Sequence, residues 1–86
     1  MYKQVVYWVK NYGSSGAGDQ RAVQDFMECE TVEIVSSLKL ELANIVQGNF
    51  DQENLDKLIG AKRRLRHDSY QEWAKLMLLW IASYKA

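Results

Sequence analysis

The stretch Ser69–Tyr84, SYQEWAKLMLLWIASY, decides the fold that this chain is expected to adopt. Its aromatic and methionine residues recur at alternating intervals of three and four, as residues on one face of an α-helix do. That stripe consists of Tyr70, Trp73, Met77, Trp80 and Tyr84. Residues 76–82 are also apolar without interruption. Because a helix that is apolar on every side needs cover on every side, other helices, a second copy or a partner must pack around it.

One short chain is not expected to cover every apolar residue of this helix. At about 100° per residue, Leu79 points away from the stripe and Leu76 lies on its flank. An exposed apolar patch of roughly a few hundred Å2 is a liability unless another chain covers it, and a two-fold dimer is the commonest arrangement. The sequence therefore predicts self-association through Leu76, Leu79, Trp80 and Ala82.

The composition is that of one small folded domain spanning residues 1–86. Of the side chains, 11 are basic and 11 acidic, so there is no general attraction to nucleic acid or to an acidic membrane. The longest apolar run is far shorter than the ~20 residues of a membrane span, and the first residues lack the features of a signal peptide. The lone Cys29 excludes an internal disulfide and favours a reducing, cytoplasmic setting.

Patterns elsewhere predict three more helices. Residues 2–12 fit a helical stripe, although their β-branched and aromatic composition also suits a strand. We favour a helix because no other segment alternates well enough to pair with a strand. The expected fold is all-α, a small four-helix bundle with helices near 2–12, 20–47, 52–66 and 70–84.

The second of these helices is expected to be the spine of the bundle. Residues 20–47 contain neither glycine nor proline and carry one continuous apolar stripe. Asp19 is the predicted N-cap and Gly48 the predicted stop. At ~1.5 Å per residue this helix would be about 40 Å long.

The third and fourth helices have separate start signals. Asp51 is a predicted N-cap, flanked by Phe50 and Leu55 at the positions of a hydrophobic staple. Ser69 and Glu72 form a capping box, which indicates a new start there. Nothing between them forbids one long kinked helix, so the sequence leaves both arrangements open.

The glycine-rich segment before the second helix resembles a phosphate-binding loop only in part. Gly13 and Gly18 have the G-x-x-x-x-G spacing, but Asp19 and Gln20 follow where the motif needs lysine and serine or threonine. Since a carboxylate repels phosphate, we interpret the segment as a flexible linker.

A basic run ends the third predicted helix, at Lys62–His67. It has two interpretations. It can be a nucleic-acid patch, or it can face the acidic half of the second helix in an antiparallel pair that sets Arg66 opposite Glu33. We favour the second, because acidic residues at the start of the same helix repel phosphate. The candidate nucleic-acid residues are Lys62, Arg63, Arg64 and Arg66.

Few residues have the chemistry of a catalytic or metal site. His67 is the single histidine, and a nucleophilic dyad would need it beside Cys29 with a third orienting group. Glu30 and Glu33 lie one turn apart, a spacing common on solvated helix faces. We therefore expect no enzyme activity, no cofactor and no metal. The favoured function is a small cytoplasmic protein-interaction or scaffold module that forms a homodimer, and the alternative is a nucleic-acid-binding accessory protein.

Overall fold

The computed structural model describes residues 2–14, 16 and 18–84, and this part of the chain contains helices and no strands. The all-α prediction is confirmed. The described residues form six α-helices and one π-helical segment, because two of the predicted helices are each interrupted once. They are α1 (Lys3–Trp8), continued by the π-helical segment Val9–Gly13, then α2 (Asp19–Cys29), α3 (Val32–Val46), α4 (Gln52–Leu58), α5 (Ala61–Arg66) and α6 (Tyr70–Ser83).

The predicted helix over 20–47 is bent into α2 and α3 at two residues. Glu30 and Thr31 are extended, with ψ angles of 158° and 162°. The Thr31 hydroxyl accepts a hydrogen bond from the Ile34 amide at 3.3 Å and so caps α3. The Glu30 carboxylate accepts hydrogen bonds from the hydroxyls of Tyr7 and Tyr12. Because those tyrosines come from another segment, the local helical pattern contains no sign of the bend.

The predicted helix over 52–66 is divided at Gly60, which has φ 109° and ψ 130°. Glycine adopts that region at little cost, whereas other residues rarely do. The predicted caps are present: Asp51 accepts from the Glu53 amide and Ser69 from the Glu72 amide. α5 and α6 are therefore separate helices, which settles the alternative that the sequence left open.

α6 lies at the centre of the molecule. It packs against α3 along one side and against α2 along another, and α5 packs against it as well. Its own buried residues are Tyr70, Trp73, Ala74, Met77 and Ile81. The element surrounded by its neighbours is thus the last helix and not the expected long spine.

The N-terminal helix is joined to α3 through its own first amides. The Glu41 carboxylate accepts hydrogen bonds at 3.0 Å from the amides of Gln4 and Val5. Free amides at a helix N-terminus attract a negative charge, so Glu41 acts as a cap supplied by a different helix. This contact positions α1 over α3.

The chain covers its own core. Its accessible surface is 5354 Å2, and a folded monomer of its mass, 10.0 kDa, is expected to expose about 5,200 Å2. None of the helices that the structure describes is both long and apolar enough to cross a membrane. An apolar residue at the surface is therefore not part of an incompletely covered core.

Candidate functional site

The most unusual buried group is the carboxylate of Asp19. It was expected to cap α2, but Gly18 occupies the N-cap and Asp19 is 8% exposed. Its carboxylate accepts from Arg63 Nε and Nη2, each at 2.9 Å, in a two-pronged pair. It also accepts from Trp73 Nε1 at 3.0 Å. We call these three residues the Asp19 hub.

The guanidinium of Arg63 extends the Asp19 hub to the end of α1. Its Nη2 donates to the Gly13 carbonyl and its Nη1 to the Ile59 carbonyl. It also lies 5.4 Å from the ring centroid of Trp8. A Cβ on Gly13 would come within 2.7 Å of the Trp8 ring and 2.9 Å of Arg63 Nη2. Glycine is therefore required where the segments meet, and Arg63 joins elements that are far apart in sequence.

The carboxylate of Asp19 has both a charge partner and hydrogen-bond donors within the hub. Burial raises the pKa of the Asp19 carboxyl, but hydrogen bonds from Arg63 and Trp73 outweigh it and leave that pKa below its ordinary value. The side chains of Arg63 and Asp19 are 15% and 6% exposed. Through these contacts the hub joins the start of α2 to α5 and α6 and stabilises their arrangement.

The basic run does not form the pair that the sequence suggested. The Arg66–Glu33 pairing is wrong: α5 packs against α6 instead of facing α3, and Arg66 and Glu33 are both exposed. Arg63 pairs with Asp19, and Arg64 Nε pairs with Asp56 at 3.1 Å. The acidic partners come from the start of α2 and from α4. Two residues of the run thus form ion pairs with acidic residues, but with different partners from those that the sequence suggested.

Asp56 also accepts a hydrogen bond from the hydroxyl of Tyr70 at 2.5 Å. That bond and the one from Arg64 hold the pKa of the Asp56 carboxyl below its ordinary value. Arg64 is thus part of a second internal network, which joins α4 and α5 to the start of α6.

Two of the four nucleic-acid candidates keep their charge at the surface. Lys62 and Arg66 are exposed and line a concavity beside Gly16, Gly18 and Gly60. Arg66 also lines an adjoining concavity, on the side of His67 and Trp80. Arg63 borders the first concavity but is committed to Asp19, so the cationic surface is smaller than the sequence suggested.

The four residues predicted for self-association are divided between two sides of α6. Leu79 is 58% exposed, Ala82 is exposed, and Leu76 is half-buried on the same outward side. Trp80 is half-buried and turns towards α2, where it lies near Gln20 and Gln24. We call Leu76, Leu79 and Ala82 the outer face of α6.

A second exposed apolar site was missed by the sequence analysis. Leu40 is 70% exposed, and with Ala43 and Leu78 it lines a shallow groove of about 430 Å3 between α3 and α6. Leu40 is two residues from both Leu38 and Leu42, so it lies on a different face of the helix from their stripe. Helical periodicity alone could therefore have indicated that Leu40 is exposed. The apolar surface at α6 therefore has a neighbour on α3.

The groups weighed for a dyad or a metal site are dispersed. Cys29 is exposed at the end of α2, whereas His67 borders the concavity at the start of that helix. The two ends of α2 are about 15 Å apart. Glu30 is held by two tyrosine hydroxyls. Within the described part of the chain, no three His, Cys, Asp or Glu side chains are grouped as metal ligands.

No protein-family model, no curated protein and no solved structure matches this chain. The fold class is all-α.

Proposed function

We propose that this protein is a small, non-catalytic interaction module of the cytoplasm that forms a homodimer through the outer face of α6. The observation that carries the proposal is that Leu79, 58% exposed, lies on the same outward side of α6 as Leu76 and Ala82, opposite the side that forms the core. Exposed leucine surrounded by further apolar residues is typical of a protein-binding surface.

The charge distribution of α6 favours a second copy as the occupant. From Leu76 to its end at Ser83, α6 has no charged residue, so the apolar centres of two copies meet there without like-charge repulsion. In an antiparallel two-fold arrangement, Leu79 of each copy meets Leu76 of the other. Glu72 then lies near Ser83 of the second copy. A self-complementary apolar centre with polar ends is what a two-fold interface requires.

The dimer is expected to be weak. A stable interface covers about 800 Å2 on each partner, roughly a seventh of the 5354 Å2 surface of this chain. One helix face provides less than that, and the groove lined by Leu40 adds to it only if the two copies tilt. Association in the micromolar range, between chains that also fold alone, follows from this area.

Sedimentation equilibrium tests the proposal, with Leu79→Glu as the main variant. We expect the parent chain to dimerise at micromolar concentrations, with a dissociation constant about tenfold or more below that of Leu79→Glu. Leu65→Glu is the matched control, because Leu65 is 69% exposed but lies on α5. A parent chain that stays monomeric up to about 1 mM would contradict the proposal, as would equal effects of the two substitutions.

A second candidate function, nucleic-acid binding, is supported by the concavity that Lys62 and Arg66 share. With two phosphate contacts, the logarithm of the affinity for duplex DNA should fall with the logarithm of salt concentration with a slope of about −1.8. Four contacts would double that slope. Salt-dependent binding that is lost in Lys62→Glu/Arg66→Glu, with dimerisation intact, would favour this function over the first.

A further inference from the structure

The bend between α2 and α3 interrupts a segment whose sequence favours a continuous helix. Residues 19–46 contain no glycine or proline. The apolar stripe passes through the bend, since Val23 and Met27 are followed at helical spacing by Ile34 and Leu38. Only Glu30 and Thr31 are extended. Local preference and tertiary structure therefore disagree at two residues.

A straight helix over residues 19–46 would extend beyond the present fold. At ~1.5 Å per residue it would be about 42 Å long, whereas the longest dimension of the whole molecule is 34 Å. Straightening must therefore lift α2 away from α6. That movement uncovers the buried side chains of Val23 and Phe26 and removes Asp19 from Arg63 and Trp73.

The surface that α2 leaves behind determines what can replace it. It is an apolar face of α6 beside the guanidinium of Arg63, which is on α5. In the monomer this guanidinium and the indole N–H of Trp73 both donate to the carboxylate of Asp19. Uncovering Val23, Phe26 and the face of α6 beneath them removes a large part of the core of a small chain, so a straightened monomer is not a stable species. A second copy of the chain supplies the missing carboxylate and the missing apolar residues in the same geometry.

We propose that this chain forms a domain-swapped dimer in which α1 and α2 of each copy pack on α3 and α6 of the other, with α2 and α3 merged into one helix. Asp19 of one copy then pairs with Arg63 and Trp73 of the second, and Glu41 caps α1 of the second. Exchange of identical elements preserves the contacts of the core. Only the conformation of residues 30 and 31 changes, so the bend sets the equilibrium. The outer face of α6 remains free, and this inference does not depend on the homodimer proposed above.

The expected concentration range follows from the linkage between α2 and α3. In the swapped dimer α1 and α2 make the same contacts with a second copy that they make within one chain in the monomer. The contact within one chain has an effective concentration of about 1 mM when the connection is short. The parent chain should therefore swap at roughly millimolar concentrations. A change at the bend acts in both chains, so its effect on the dimerisation constant is squared.

Thr31→Ala favours the straight form, because it removes the cap on Ile34 and improves helix propensity. Loss of a cap changes an equilibrium about fivefold, so two chains should shift dimerisation about 25-fold, to some tens of micromolar. Glu30→Ala is a second variant, because it places the residue with the highest helix propensity at the other extended position of the bend. It should change dimerisation in the same direction.

Val32→Pro is the matched control. Val32 is the first residue of α3 and 78% exposed, a position where proline is tolerated. Thr31 before it is already extended, as a residue preceding proline prefers. In a merged helix the same proline would remove a hydrogen bond and clash with the preceding turn. With Leu79→Glu present in both proteins to exclude association through the outer face of α6, Thr31→Ala/Val32→Pro should therefore be monomeric where Thr31→Ala is dimeric.

The experiment is sedimentation equilibrium of these variants after refolding at high concentration, followed by exchange between labelled and unlabelled dimers. Swapped dimers should exchange slowly, because α2 must detach, and Leu79→Glu should leave them intact. The proposal is overturned if Thr31→Ala and Glu30→Ala dimerise no better than the parent chain. It is also overturned if Val32→Pro leaves the dimer unchanged, or if Leu79→Glu abolishes it while slow exchange is absent.

Discussion

Charged residues usually lie at the surface of a protein and large apolar residues in its core, and the Asp19 hub and the outer face of α6 are exceptions to these two rules. The hub places a carboxylate and a guanidinium inside the molecule, and the outer face places Leu79 in water. The difference lies in what surrounds them. Asp19 is bonded to fixed donors from two other helices, whereas Leu79 is more than half uncovered. The buried charge contributes to the fold, whereas the exposed leucine makes no comparable contact within the chain and is the basis of the proposed homodimer.

The largest expected effect in this comparison comes from Asp19→Ala. It leaves the charge of Arg63 and the N–H of Trp73 buried without their acceptor, so urea denaturation should show a loss of about 3–5 kcal/mol. Asp25→Ala is the control on the same helix, since Asp25 pairs with Arg21 at the surface. Its loss should stay below about 1 kcal/mol. Equal losses for the two variants would mean that the hub is no more important than a surface ion pair.

A smaller difference in stability is expected between variants of Trp8 and Trp73, whose ring centroids are 6.1 Å apart. Both are fully buried, but Trp73 Nε1 donates to Asp19, whereas Trp8 Nε1 is buried without a hydrogen-bond partner among the described residues. Trp73→Phe should therefore cost about 1.5–3 kcal/mol more than Trp8→Phe, because it removes a hydrogen bond to a charged group. Chemical denaturation of both variants measures the difference. A larger loss in Trp8→Phe would show that ring packing outweighs that hydrogen bond.

The stabilisation by the Asp19 hub should depend on pH. Because the pKa of Asp19 is lowered in the folded protein, its contribution is complete above the unfolded value of about 3.9. It is lost as pH falls through the folded pKa. Thermal unfolding measured from neutral to acidic pH should therefore show an acid-dependent decrease that Asp19→Asn lacks. Parallel curves for the two proteins would show that other carboxylates control acid unfolding.

The smallest expected effect on stability is that of Leu79→Ala. Leu79 is more than half exposed, so its truncation in the monomer should change the free energy of unfolding by no more than about 0.5 kcal/mol. Met77, two residues earlier on α6, is fully buried, and Met77→Ala should cost about 2–5 kcal/mol. The pair is compared by denaturation at low protein concentration. A comparable loss in Leu79→Ala would mean that Leu79 belongs to the core and is unavailable to a partner.

The starts of α4 and α6 and the outward position of Leu79 follow from local rules, and they were accessible without the fold. The caps at Asp51 and Ser69 form within three residues, so the sequence alone identifies them. The stripe of α6 gives the direction of Leu79 by helical periodicity. The exposure of Leu40 was accessible by the same rule but was overlooked. These features depend on the residues of one helix and on no distant contact.

The sequence by itself determined the helical class, the caps of α4 and α6, and the apolar stripe that makes α6 the centre. Only the tertiary structure decided that Asp19 turns inward, that Arg63 and not Arg66 is the basic residue with a buried partner, and that the long helix bends at Glu30. Asp19 and Arg63 are 44 residues apart, and Tyr7 reaches Glu30 across 23. Such contacts depend on how the helices are placed around α6. Local propensity and periodicity extend over only a few turns, so they contain no information about that placement.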